Sequence, residues 1–142
     1  MKTEYTVNSR VPTLAEYIEL CHAVGWSEYI NFEVAEQSLS QSIAGVVVQD
    51  KDDIVGMGRI VGDGSIYFYI QDIAVKPEHQ NQGVGRMIMT TLVQYVKSNA
   101  PEKAFVGLFA SAGKEAFYNQ YGFHNHAGMT GMFGVIHKRE LK

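Results

Sequence analysis

"IQDIAVKPEHQNQGVGRMIM", residues 70–89, decides how the chain is read. An apolar run ends at Lys76-Pro77, polar residues follow, and Gly83 and Gly85 open a stretch with helical apolar spacing. This is a strand, a turn and the mouth of a helix, with two glycines and no proline at that mouth. The first N–H groups of such a helix lack intrahelical partners, and with the macrodipole they favour an anion. Glycine lets a bulky phosphate approach them closely. Gln80, Asn81 and Gln82 keep the loop polar without making it acidic, and Arg86 adds a positive charge one turn in. A phosphate cradle and an ordinary glycine-bearing strand-to-helix turn both fit these residues.

Upstream, Thr13 and Glu16 stand at capping-box spacing before Leu14, Tyr17, Ile18, Cys21 and Val24, and Gly25 stops that helix. A weaker helix is predicted over 33–42. "AGVVVQ" (44–49) and "IVGMGRIVG" (54–62), joined by the turn "DKDD", form a hairpin, and "SIYFYIQDIAV" (65–75) is a long strand. Downstream, Val84, Met87, Ile88, Leu92, Tyr95 and Val96 form the apolar stripe of a helix over 84–98. "AFVGLFA" (104–110) reads as a strand, "GKEAFYNQYGF" (113–123) as a short helix stopped at Gly122, and "GMFGVI" (131–136) as a last strand. The order predicts an α/β (α+β) fold with one mixed, mostly antiparallel sheet and helices on both faces. The strand before Gly83 and that at 104–110 are expected as parallel neighbours joined by a right-handed crossover.

The totals set the frame. With 142 residues the chain is expected to be a single domain, 1–142, and 46% hydrophobic with 19% charged residues is a globular balance. A net charge of −3 speaks against a nucleic-acid partner. No apolar run approaches the ~20 residues of a bilayer span, so no membrane partner is expected. "MKTEYTVNSR" is no signal peptide, and Cys21 alone allows no intrachain disulfide, so a cytoplasmic setting is expected. Cys21 reads as a core residue. His22, His79, His124, His126 and His137 show no metal-ligand spacing, so no metal is expected.

The glycine loop can be tested against phosphate motifs. A P-loop needs Gly-Lys-Ser/Thr, but Gly85 is followed by Arg86-Met87. A dinucleotide fingerprint needs a small residue where Ile88 stands. What remains is Gln80-x-x-Gly83-x-Gly85, preceded by Val75, Pro77 and Gln80 in V-x-P-x-x-Gln order and followed by Phe117-Tyr118-x-x-x-Gly122-Phe123. Together these motifs resemble the acetyl-coenzyme A signature of the GNAT-type N-acetyltransferases, and the order of elements resembles the family over nearly the whole chain.

The resemblance implies the GNAT fold, with a splayed parallel strand pair, and acetyl transfer from acetyl-coenzyme A, without a metal, to a primary amine of a small molecule or peptide. A non-catalytic acyl-coenzyme A binding or sensing module on the same fold is the alternative, and a nucleotide-phosphate binder is a more distant one. The cofactor's pantetheine would pair with Ile73, Ala74 and Val75, and its pyrophosphate with backbone N–H groups of Gln80, Asn81, Gln82, Gly83, Val84, Gly85 and Arg86. Ser111 stands where many members have an asparagine contacting the cofactor, and Lys114 and Phe117 are further cofactor-side candidates. Tyr118 matches the tyrosine that protonates the leaving thiolate. Asp72, which interrupts an apolar strand beside the expected thioester, is the candidate base, with a structurally bonded carboxylate as the alternative. Trp26, Tyr29 and Phe32 are candidates for an aromatic acceptor wall, and Glu28 and Glu33 could attract a cationic acceptor. Whether the chain forms a homodimer stays open.

Overall fold

The computed structural model describes residues 4–142. They pack as two compact units, one ending at Leu108 and the other running from Phe109 to Lys142. In the first, five strands lie side by side in chain order: β1 (Tyr5–Asn8), β2 (Ala44–Asp50), β3 (Asp53–Gly62), β4 (Tyr67–Val75) and β5 (Phe105–Gly107). Neighbours are antiparallel up to β4, and β4 and β5 are parallel. The mixed, mostly antiparallel sheet expected from the sequence is therefore present.

Helices α1 (Leu14–Ala23) and α2 (Ala35–Ser40) lie on one face, and α3 (Val84–Asn99) on the other. The alternation of β3 explains both contacts. Met57 packs in a core cluster with Tyr17, Leu20 and Cys21 of α1. Gly56 and Gly58 face α3, where an added Cβ would come within 2.8 Å of Val84 and 2.7 Å of Ile88. The bare backbone lets the helix sit close, with Val84, Ile88, Met89 and Leu92 buried against the sheet.

The capping box of α1 is formed. Glu16 N–H donates to Thr13 Oγ1 at 3.2 Å, and Thr13 N–H donates to Glu16 Oε1 at 2.8 Å. Arg10 grips the same carboxylate with both terminal nitrogens, at 2.7 and 2.8 Å. These donors, Arg10 foremost, lower the Glu16 carboxyl from its ordinary 4.5 to about 2. A depressed carboxyl stabilises the fold above its ordinary value, and that contribution is lost as pH falls toward 2. Glu16→Ala should cost about 1 kcal/mol at pH 7. In urea titrations the gap to wild type should close between pH 4.5 and 2. A gap independent of pH would show that the carboxylate is not its source.

The structure departs from the sequence expectations at four places. Strand β1 was not anticipated; it pairs along one edge only, with β2. Helix α2 is six residues rather than ten. The strand expected over 104–110 is paired only at Phe105–Gly107. The last strand expected over 131–136 forms only at its end: in the second unit β6 (Ile136–His137) pairs with β7 (Glu140–Leu141). Lys138 and Arg139, both at positive φ, make the two-residue turn between them. Gly131 and Gly134 weaken the stretch before it as a strand.

Candidate active site

Strands β4 and β5 are paired through only three positions, Tyr67↔Phe105, Phe68↔Val106 and Tyr69↔Gly107. Beyond Tyr69 the outer edge of β4 has no strand partner among the described residues. The β3–β4 register breaks between Met57 and Arg59, and Asp72 lies in this bulge at φ 58°. Aspartate is one of the few non-glycine residues that tolerate this left-handed conformation. Lys76 N–H donates to Val55 on β3. Alternation therefore turns the backbone groups of Val75 to the outer edge and those of Ala74 to β3. Of the residues expected to pair with pantetheine, Ala74 thus has its backbone committed within the sheet. Ile73 lies in the bulged stretch with its side chain toward α3, its Cδ1 within 2.7 Å of where a Gly58 Cβ would be.

The chain then passes through a 3₁₀ turn, Pro77–His79, into the glycine loop. Asn81 (φ 62°) and Gly83 (φ 89°) are both left-handed, and such turns point successive N–H groups into one concavity. Gly83 is the N-cap of α3, and no side chain caps it. The ladder begins at Met87 N–H to Gly83 C=O, so the N–H groups of Val84, Gly85 and Arg86 have no acceptor within the helix. Gln80 departs from the expected role. Its own N–H bonds Pro77 C=O at 3.3 Å, and its Nε2 donates to Val75 C=O at 3.1 Å. It braces the loop against β4 rather than offering a free N–H. Gln82 Nε2 donates to Glu78 C=O, and Tyr5 donates to Gln82 Oε1 at 2.9 Å and shares a 2.9 Å bond with His79 Nδ1. The loop is held from both sides while the helix mouth stays open.

Asp72 is not a lone carboxylate. Its Oδ2 accepts from Arg59 Nε at 2.7 Å and from the Tyr17 hydroxyl at 3.2 Å. Arg59 Nη1 donates to Ser38 C=O (3.2 Å) and Ser42 Oγ (3.1 Å), and Nη2 to Ser38 Oγ (3.0 Å). Burial first, then the Asp72 charge, push the Tyr17 hydroxyl well above its ordinary value. The same two causes raise Cys21 to about 11, which leaves it a protonated core thiol. Sequence reasoning missed Arg59, Tyr17, Ser38 and Ser42. The available signal was two opposite charges, each interrupting an apolar strand of the predicted sheet.

In the second unit, α4 (Glu115–Asn119) carries Phe117 and Tyr118. The Phe117 ring meets Tyr118 edge-on at 5.1 Å and Tyr121 at 5.5 Å. Gly122, at φ 98°, closes the turn after α4. Burial raises the Tyr118 hydroxyl above its ordinary value, so it holds its proton at neutral pH. Ser111 and Lys114 are exposed.

The acetyltransferase (GNAT) domain family matches residues 15–137. The chain belongs to the GNAT family of acetyltransferases. A structure of a probable acetyltransferase from meticillin-resistant Staphylococcus aureus superposes with a TM-score of 0.85 at 33% identity, over 94% of this chain and all of that one. A GNAT family protein from Streptococcus pneumoniae does so with a TM-score of 0.77 at 30% identity, over 95% of this chain and all of that one. The uncharacterized N-acetyltransferase ycf52 of Porphyra purpurea is 28% identical over 137 residues, 94% of this chain and 78% of that protein.

In this GNAT N-acetyltransferase the acceptor-side candidates divide. Trp26 and Phe32 pack against the core, and Phe32 meets Tyr17 edge-on at 6.4 Å. Tyr29, 78% exposed, does not join them as a wall. Glu28 and Glu33 are exposed. Grooves of about 700 Å³, between Val11, Gly45 and Tyr95, and about 430 Å³, beside Thr13 and Leu39, are lined by no residue of the glycine loop or of β4. Among the described residues no three His, Cys, Asp or Glu side chains gather as a metal site would require.

Proposed function

We propose that this GNAT acetyltransferase moves the acetyl group of acetyl-coenzyme A to a primary amine of a small molecule or peptide. One observation carries the reading: residues 70–86 build both an unpaired strand edge and an uncapped, glycine-lined helix mouth. A strand edge suits an amide-bearing pantetheine, and the helix mouth suits a pyrophosphate. The N–H groups of Val84, Gly85 and Arg86 hold the phosphates, and the outward N–H of Val75, whose C=O is taken by Gln80, and the bulged stretch at Ile73 line the arm. Ser111, Lys114 and Phe117 belong to the cofactor side by the same resemblance. The amine nitrogen attacks the thioester carbonyl, the C–S bond breaks, and Tyr118 gives its proton to the departing sulfur. Proximity of the two reactants supplies most of the acceleration. A panel of amines with acetyl-coenzyme A, read by released thiol and by acetylated product, tests this. Coenzyme A binding without thiol release for any amine would favour the sensing module.

Asp72 then serves the amine. Arg59 cancels its charge and occupies Oδ2, leaving Oδ1 without a partner among the described residues. A carboxylate so fixed orients the amine, which sheds its proton to water. Activity should rise from pH 7 toward 9 as more acceptor becomes free base. Asp72→Asn should lower kcat/KM for the amine about tenfold at every pH, within the range of a lost positioning contact. It should disturb acetyl-coenzyme A binding little. A loss that shrinks as pH rises would instead make Asp72 the proton acceptor.

A further inference from the structure

We propose that Arg59 is a positioning residue for the acceptor: it holds Asp72 in its left-handed bulge and ties Ser38 and Ser42 to the sheet, so that Asp72 Oδ1 is presented to the amine. This rests on the proposed transfer to an amine. Arg59 is 8% exposed, a charged group buried among apolar neighbours. A buried cation is costly unless paired and hydrogen-bonded, and Arg59 has the Asp72 carboxylate as partner and acceptors for four of its five N–H donors. The planar fork divides its work: Nε takes the Asp72 carboxylate on β4, and the two terminal nitrogens take Ser38 in the last turn of α2 and Ser42, two residues past its end. The guanidinium also sits 5.8 Å from the centre of the Tyr17 ring.

Two features make this more than packing. A left-handed residue within a strand, rather than in a turn, is held there by its surroundings even when it is an aspartate. At Asp72 those surroundings are Arg59 and Tyr17, both on Oδ2. The grip on one oxygen fixes the direction of the other. The same guanidinium also reaches a different element, so the seat for the amine and the helix beside it move together or not at all.

The test uses the full chain. Arg59→Lys keeps the charge and loses the fork, and Ser38→Ala with Ser42→Ala frees the guanidinium's side-chain anchors without unpairing Asp72. Arg59→Lys should lower kcat/KM for the amine at least about tenfold, mainly through KM. The KM for acetyl-coenzyme A and the calorimetric Kd for coenzyme A should change clearly less than the amine KM, because the phosphates rest on the glycine loop, which is braced separately from the bulge. The double serine variant should show a smaller loss of the same kind, and it carries the test if Arg59→Lys does not fold. Wild-type amine KM in both variants, or an equal loss toward both substrates, overturns the proposal. Amide hydrogen exchange without substrate should rise at 38–43 and 70–74 in both variants. That readout is independent of acetyl transfer: if wild type acetylates no amine, raised exchange still supports the clamp, and unchanged exchange removes it.

Discussion

Gly83→Val and Gly85→Val should each weaken coenzyme A binding about 100-fold, roughly 2.8 kcal/mol, in a calorimetric titration. The domain should stay folded. At Gly83 an added Cβ meets no atom within 4 Å, so the protein has room for a side chain there. The backbone is less permissive: φ is +89°, and a side chain in that region costs about 1–2 kcal/mol. Valine also sets its two methyl groups beside the N–H groups at the start of α3, where no side chain makes a capping hydrogen bond. Conformation and bulk can be separated. Asparagine tolerates the left-handed region, so Gly83→Asn should keep the loop's shape and lose affinity through bulk alone. Its affinity should fall between wild type and valine. Wild-type affinity in both valine variants would leave the helix mouth an ordinary turn.

The parts of this site that the sequence made legible are those written in neighbouring residues. The capping box needs only Thr13 and Glu16, three apart, and α3 announces itself by its apolar period. The glycine loop is a run of six residues, and it lies where the motif put it. The splay was legible only through the resemblance, because nothing in "AFVGLFA" says that pairing stops at Gly107. The Arg59–Asp72 pair was hidden for a different reason. Its members are on separate strands, and which residues face each other depends on a register that the bulge shifts. Gln80 shows a third limit: a motif names a position without saying whether its backbone or its side chain is used. Here the side chain binds Val75 and the backbone is already spent. Exposure decided the acceptor loop in the same way, since an aromatic cluster in sequence became Trp26 and Phe32 inside and Tyr29 outside.

Tyr118→Phe should leave acetyl-coenzyme A affinity unchanged and lower turnover about 10²-fold, the lower range for a general acid. The substitution keeps the ring, so the edge-on contact with Phe117 survives and only the proton is lost. Burial raises the Tyr118 hydroxyl, which sets the sign of its pH dependence. The acid is protonated, and so active, at every pH below its raised value. The wild-type rate should therefore show no alkaline decline from this group below about pH 10, tyrosine's ordinary value. Tyr121 is the internal control. Its hydroxyl is buried with no hydrogen-bond partner among the described residues. Removing an unsatisfied buried hydroxyl is close to neutral or stabilising. Tyr121→Phe should keep full turnover and an equal or higher Tm. Single-turnover rates with saturating acetyl-coenzyme A and one good amine compare the three proteins directly. Full turnover in Tyr118→Phe would return Tyr118 to a packing role, and a loss confined to Tyr121→Phe would move the acid three residues along the chain.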